Sequence, residues 1–246
     1  MNFLKQPLKR LINAAGFELR RLKPKTNPAY QLLIGLNRFD IDLVFDVGAN
    51  AGQFASELRD LGYTGEIVSF EPLSAAHRSL SAHAAKDDKW RVHQRCAIGD
   101  FDGEIDINVS ANSVSSSVLP MLEAHSSAAV KSAYVGTEKV PIFRLDSVTP
   151  DYLSAASRAF VKIDTQGFEW QVLDGGSETL AAAQGLLCEL SLVPLYEGQR
   201  LWLEVIQRLE QEGFTLWSIQ KGFTDIRDGR SLQIDASFFR LPNQDN

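Results

Sequence analysis

Cysteine is scarce in this chain: two in 246 residues, Cys96 and Cys188, each among apolar, strand-like neighbours. That argues against a disulfide-stapled scaffold and for reduced, buried thiols in a cytoplasmic protein. Histidine is scarce too, four in all. No Cys/His cluster has ligand spacing, so no metal ligand is assigned. Apolar runs near the ~20 residues of a membrane span are missing. So is any excess of positive charge: the net charge is −6, which speaks against a dedicated nucleic-acid binder.

What the chain does have is 44 % hydrophobic residues, enough to bury the core of one domain. Its charge is uneven. Residues 1–25 carry seven basic side chains against one acid, Glu18. Leu4, Leu8, Leu11, Ile12, Ala15, Leu19 and Leu22 recur there at helical spacing. The break at Asn13 and the basic residues from Arg20 do not suit a signal peptide. A basic amphipathic helix of this kind lies on an anionic surface, such as the inner face of a membrane, or packs on the domain or a second subunit of a homo-oligomer. With the linker Lys23–Pro28, residues 1–40 are set apart from a domain over 41–246.

The domain is organised around residues 43–53, Leu-Val-Phe-Asp-Val-Gly-Ala-Asn-Ala-Gly-Gln. An apolar strand stops at Gly48, and from Gln53 the spacing of Phe54, Ala55, Leu58 and Leu61 is helical. Gly48 and Gly52 let the main chain turn tightly and a ligand approach it, and the free N–H groups of the new helix would face that ligand. An ordinary βα turn needs glycine for geometry alone, so the second strand matters. Residues 66–70 run into Glu71, which places an acid where the ribose hydroxyls of an adenosine cofactor bind. Asp46-x-Gly48-x-Asn50-x-Gly52 lacks the third glycine of a dinucleotide fingerprint. It looks like motif I of a class I methyltransferase. An NAD(P)-dependent oxidoreductase and a non-catalytic cofactor-binding scaffold are the alternatives.

Further along, a helix is expected over 74–85 and a third strand over 91–96, leading into Ala97 and Ile98. Residues 104–109 and 139–144 read as strands flanking a Ser-rich polar segment, a lid or a disordered loop. Strands at 159–163 and 185–190, a helix through Trp202, Val205, Ile206 and Leu209, and closing strands at 214–219 and 236–240 follow. The alternation of strand and helix predicts an α/β fold with a doubly wound, mainly parallel sheet.

Val44–Gly52, Ser69-Phe-Glu-Pro72, Ser115–Ser117, Arg144-Leu-Asp146 and Val161–Glu169 stand in the order of the FkbM-type methyltransferases. The chain resembles that family over about residues 41–190. The resemblance implies a Rossmann-like class I methyltransferase fold, with a seven-stranded sheet, helices on both faces and an antiparallel closing strand. It implies S-adenosylmethionine (product S-adenosylhomocysteine) as cofactor, held by Asp46, Gly48, Asn50, Gly52, Gln53, Glu71 and Asp164, with Ala97 and Ile98 against the adenine. The implied reaction is O-methylation of a hydroxyl on a sugar, glycolipid or related natural product. A poorly nucleophilic alcohol benefits from a general base. Asp164 is the first choice, with a helix cap or a cofactor contact as alternatives, and His125 is the second by its ordinary pKa. Glu189 and Tyr196 are expected to line the acceptor side. Many members carry Glu where this chain has Gln166, so no acid–base role is given to it. No carboxylate cluster for a divalent metal is visible, and metal dependence is left open.

Overall fold

The computed structural model describes residues 10, 13–17 and 22–242. Most of the basic helix expected over 1–22 lies outside them. No helix among the described residues is long and apolar enough to cross a membrane.

Helix α1 (Pro28–Arg38) opens the folded unit. Asn27 caps it, accepting the Tyr30 N–H on Oδ1 at 2.6 Å, and Pro28 takes a first-turn position that needs no amide hydrogen. Leu32, Leu33 and Leu36 share one face and are buried with Val44, Ile67, Phe160 and Phe239. The boundary expected at residue 40 therefore falls inside continuous packing. The domain begins by Pro28, because α1 supplies part of its core.

The described strands are β1 (Leu43–Val47), β2 (Glu66–Phe70), β3 (Trp90–Val92), β4 (Ala97–Gly99), β5 (Gly103–Ser110), β6 (Tyr134–Arg144), β7 (Ala159–Ile163), β8 (Gly185–Ser191), β9 (Thr215–Lys221) and β10 (Gln233–Phe239). Seven form one sheet in the order β3-β2-β1-β7-β8-β10-β9. Within it β10 runs antiparallel to both of its neighbours, while the pairs from β3 through β8 are parallel. This is the mainly parallel seven-stranded sheet with an antiparallel closing strand that the resemblance implies. Strand order reverses between β1 and β7, and in such sheets the crevice beyond the carboxyl ends at that switch point takes the ligand.

Helices α2 (Gln53–Leu61), α3 (Ser74–Ala84), α4 (Glu123–Ala128), α5 (Leu145–Val148), α6 (Glu169–Asp174), α7 (Ser177–Ala182) and α8 (Trp202–Gln211) fill the connections. Two apolar layers sandwich the sheet. Phe45, Val161, Cys188 and Phe238 face one, with Leu145, Val172 and Leu209. Val44, Phe160, Leu187 and Phe239 face the other, with α1 and α2. Each fully buried side chain of this size contributes roughly 1.5–3 kcal/mol.

Two expectations change. The strand expected over 91–96 is broken: it leaves the main sheet after Val92, and β4 pairs with β6 instead. The strands near 104–109 and 139–144 pair with each other, and with β4 form a separate three-stranded sheet. Ile107, Val140 and Ile142 turn one face of it onto Leu73, Ala76 and Phe168, a small core of its own. The polar segment between them is ordered locally, with Ser117 bridging to Asn108 and α4 closing it.

Candidate active site

The turn after β1 is sewn down by the protein itself. The Gly48 and Ala49 N–H groups both donate to the Phe70 carbonyl, at 3.1 and 3.0 Å. Asn50 N–H donates to Glu71 Oε2 at 2.8 Å, Ala51 N–H to the Asn50 side chain at 2.8 Å, and Gly52 N–H to the Ala49 carbonyl at 2.8 Å. Each N–H of residues 48–52 therefore has a partner on the turn or at the end of β2, and the free N–H groups expected to face a ligand are those of the first turn of α2, which starts at Gln53. Gly48 (φ 75°) is glycine because a Cβ there would stand 1.8 Å from the Asp164 carbonyl. Gly52 (φ 91°) is glycine because a Cβ would strike the Trp90 ring.

Beneath the turn runs a polar row on the α1–α2 face of the sheet. Ser69, Asp46 and Lys162 are direct cross-strand neighbours on β2, β1 and β7. Lys162 Nζ lies 3.1 Å from Asp46 Oδ1 and 3.5 Å from Asp164 Oδ2. It also donates to the Gly48 carbonyl at 2.8 Å. Burial alone would lower the Lys162 pKa, but Asp46 and Asp164 outweigh it and hold the ammonium above the ordinary lysine value. Asp46 is fully buried, with Ser69 Oγ donating to its Oδ2 at 3.3 Å. It does not line the cavity and anchors the turn from below. Gly52 does not line it either.

A cavity of about 570 Å³ opens above the carboxyl ends of β1, β2 and β7, in the range of small-molecule sites. Gly48, Asn50, Gln53, Glu71, Ala97, Ile98 and Asp164 all line it. Glu71 is 4 % exposed. One of its oxygens accepts Asn50 N–H and the other accepts Leu73 N–H, so each keeps a lone pair for a hydroxyl. Burial pushes its carboxyl up to about 7, against the lowering effect of those backbone bonds. Cys96, Ala97, Ile98 and Phe168 make an apolar wall beside it. A carboxylate beside an apolar slot fits an adenosine group. Ser113, Ser116 and Ser117 from the polar segment also line the cavity, in the position of a lid.

The loop after β7 carries the other charged end. Gln166, with φ of 54°, turns back over it. Its Nε2 donates to Asp164 Oδ1 at 2.8 Å and to Glu189 Oε2 at 2.6 Å. Its Oε1 accepts the Tyr196 hydroxyl at 2.9 Å. Gln233 Nε2 donates to the same Glu189 oxygen at 2.7 Å. Burial first, then Asp164 and Asp235, push Glu189 well above the usual carboxylate range. Glu189 and Tyr196, expected to line the acceptor side, sit behind Gln166 and are not among the cavity-lining residues. They hold the residue that does line it. Glu169 is buried and closes the loop, accepting Thr165 and Gly167 N–H at 3.0 Å each.

His125 lies elsewhere. It is buried on α4 against the Tyr196 and Phe223 rings, and desolvation lowers its pKa to about 4. It does not line the cavity. Among the described residues no group of three or more His, Cys, Asp or Glu is disposed to hold a metal; glutamine amides bridge the acids near Asp164 instead.

Sequence reading missed Lys162, the structural role of Gln166, and Asp235, which lines the cavity from β10. The signal for Lys162 was present: a lysine inside the apolar pentad Ala-Phe-Val-Lys-Ile needs a buried counter-charge.

Comparison with known proteins gives three findings. The family profile described as "Methyltransferase FkbM domain" matches residues 46–216. The chain is 29 % identical over 166 residues to a 2-O-methyltransferase, NoeI, of Sinorhizobium fredii (strain NBRC 101917 / NGR234). That match covers 64 % of this chain and 66 % of NoeI, just under two thirds of the relative's length. Among solved structures, the O-methyltransferase TomG from Streptomyces achromogenes is similar at a TM-score of 0.48 and 8 % identity, over 98 % of this chain and 91 % of that one. Magnesium protoporphyrin IX methyltransferase (ChlM) from Synechocystis PCC 6803 is similar at 0.48 and 10 %, over 96 % and 97 %.

Proposed function

The chain belongs to the FkbM methyltransferase family, and we propose that it methylates a hydroxyl of a sugar, glycolipid or related natural product, with S-adenosylmethionine as donor. The observation that carries this reading is the placement of Asp164. Its carboxylate stands at the carboxyl end of β7, about a third exposed, beside the slot that Glu71 and the apolar wall define. Glu71 would take the ribose hydroxyls, Ala97 and Ile98 the adenine, and Gly48–Asn50 the main-chain edge between them.

Bound S-adenosylmethionine supplies an activated methyl carbon, so the protein's task is alignment and proton removal. Gln166 fixes one oxygen of Asp164 and Lys162 sits beside the other. That leaves the carboxylate aimed by two neighbours on opposite sides, and we assign it the proton of the acceptor hydroxyl. Glu189, held well above the usual carboxylate range by burial and by Asp164, serves as the acceptor of two amide N–H groups. Both cysteines are free and buried, which suits a cytoplasmic location.

Calorimetry with S-adenosylhomocysteine and with NAD tests the donor. Binding of NAD alone would overturn the reading. Asp164→Ala is expected to keep S-adenosylhomocysteine affinity and lose turnover on a glycoside acceptor; unchanged turnover would remove Asp164 as the base.

A further inference from the structure

The cavity has a second arm that the cofactor contacts leave unused. Its floor is the sheet face bearing Leu187 and Asp235, and its roof is α1 and the start of α2, with Leu32 and Phe54. Asp235 pairs across strands with Glu189 on one side and Gln220 on the other. It stands two and four residues from Ser237 and Phe239, so by strand alternation it shares the Phe239 face, toward α1. Its carboxylate makes no hydrogen bond or ion pair with another described residue, although burial pushes it up to about 6. Across the mouth of the arm, Gln220 Nε2 donates to the Pro28 carbonyl at 3.0 Å and ties β9 to α1. Pro28, Leu32, Gln220 and Asp235 lie outside residues 46–216, the segment shared with the family, while Phe54, Leu187 and Glu189 lie within it.

We propose that this arm is the acceptor subsite, that it takes one saccharide ring, and that acceptor choice is written in the flanking segments 28–32 and 220–235. The proposal rests on the O-methyl transfer argued above. A sugar ring offers what the walls ask for. Its C–H face packs on Leu32 and Phe54, while an edge hydroxyl donates to Asp235. The ring then lies beside Asp164, with Lys162 also on the cavity lining. Asp235 is half-buried and spends neither of its oxygens on another described side chain, so both are open to a ligand hydroxyl.

The test uses the full chain with methyl glycosides of glucose, mannose, galactose and rhamnose, read by methyl transfer and by saturation-transfer NMR with S-adenosylhomocysteine bound. Two variants probe the arm: Asp235→Asn removes the charge, and Ala29→Trp crowds the mouth from α1. Both are expected to bind S-adenosylhomocysteine within about twofold of wild type. Transfer should fall by about tenfold or more, in Asp235→Asn mainly through KM, as loss of one hydrogen bond to a charged group implies. Unchanged transfer in either variant overturns the proposal, as does a wild type that binds S-adenosylhomocysteine but none of the glycosides. A wild type that fails to bind S-adenosylhomocysteine overturns the methyltransferase reading instead, so the two failures are distinguishable.

Discussion

Lys162 Nζ and Asp46 Oδ1 lie 3.1 Å apart on adjacent parallel strands, with both side chains almost fully sealed from solvent. The pair carries the turn above it. Lys162 holds the Gly48 carbonyl from below, and Gly48 in turn meets the Asp164 carbonyl so closely that no side chain fits between. One buried cation therefore joins the cofactor turn to the loop bearing the proposed base.

Removing that cation alone should be severe. Lys162→Met leaves the Asp46 carboxylate buried without its counter-charge, which costs roughly 3–5 kcal/mol. Urea unfolding is expected to show the loss, with Asp46→Asn combined with Lys162→Met recovering part of it. If the double variant is no better than Lys162→Met, the two side chains act independently and the pair is not the anchor described.

Gln166 is the next joint. Its amide reaches Asp164, Glu189 and Tyr196 at once. Gln166→Ala removes a hydrogen bond to a carboxylate, worth about 1.5–3 kcal/mol, so turnover should drop roughly 10–100-fold. Cofactor affinity should change little, because Glu71 and the β1 turn are untouched. Steady-state kinetics beside S-adenosylhomocysteine titration separates these. Equal loss in both would mean that the loop collapses rather than that Asp164 is misaimed.

Much of this was legible in the chain and some was not, for physical reasons. The turn at Gly48, the acid at Glu71 and the strand end at Asp164 announce themselves, because each depends on local backbone order. Lys162 and Asp46 do not, since their pairing depends on which strands are neighbours and in what register. The resemblance implies that Asp46 holds the cofactor, yet two residues of pleat put it on the Val44 face of β1, buried beside Lys162. Asp235 belongs to no motif, and only the antiparallel return of β10 sets it opposite Glu189. That the Gly48 and Ala49 N–H groups are held by the Phe70 carbonyl is likewise invisible in the sequence, since it depends on β2 lying beside β1.

His125 gives a prediction in the opposite direction. Buried between two rings and away from the cavity, it has no route to the acceptor proton. His125→Phe is expected to leave kcat/KM within about twofold, since a similar ring fills the same space. Its folded-state pKa, lowered to about 4, lies below the unfolded value of about 6.5. Its contribution to stability is therefore present above pH about 6.5 and lost as pH falls toward 4. Thermal melts should show the phenylalanine variant losing less than wild type over that interval, while a large drop in turnover would restore histidine to the mechanism.

Glu71 should make cofactor affinity depend on pH. Burial raises its folded-state pKa to about 7, so near neutrality the free protein holds a mixture of acid and carboxylate. Two ribose hydroxyls are better accepted by the carboxylate, and their binding draws the pKa down. Affinity for S-adenosylhomocysteine should therefore rise as pH climbs from about 6 to 8, by at most tenfold per pH unit below the pKa, and then level off. The same shift has the opposite sense for the free fold. With a folded pKa above the unfolded one, the folded state binds the extra proton, and this group's contribution to stability declines between pH about 4.5 and about 7. Glu71→Gln cannot ionise, so it should bind more weakly at pH 8 and show a flat profile. A wild-type affinity that stays level from pH 6 to 8 would mean that Glu71 does not meet the ribose.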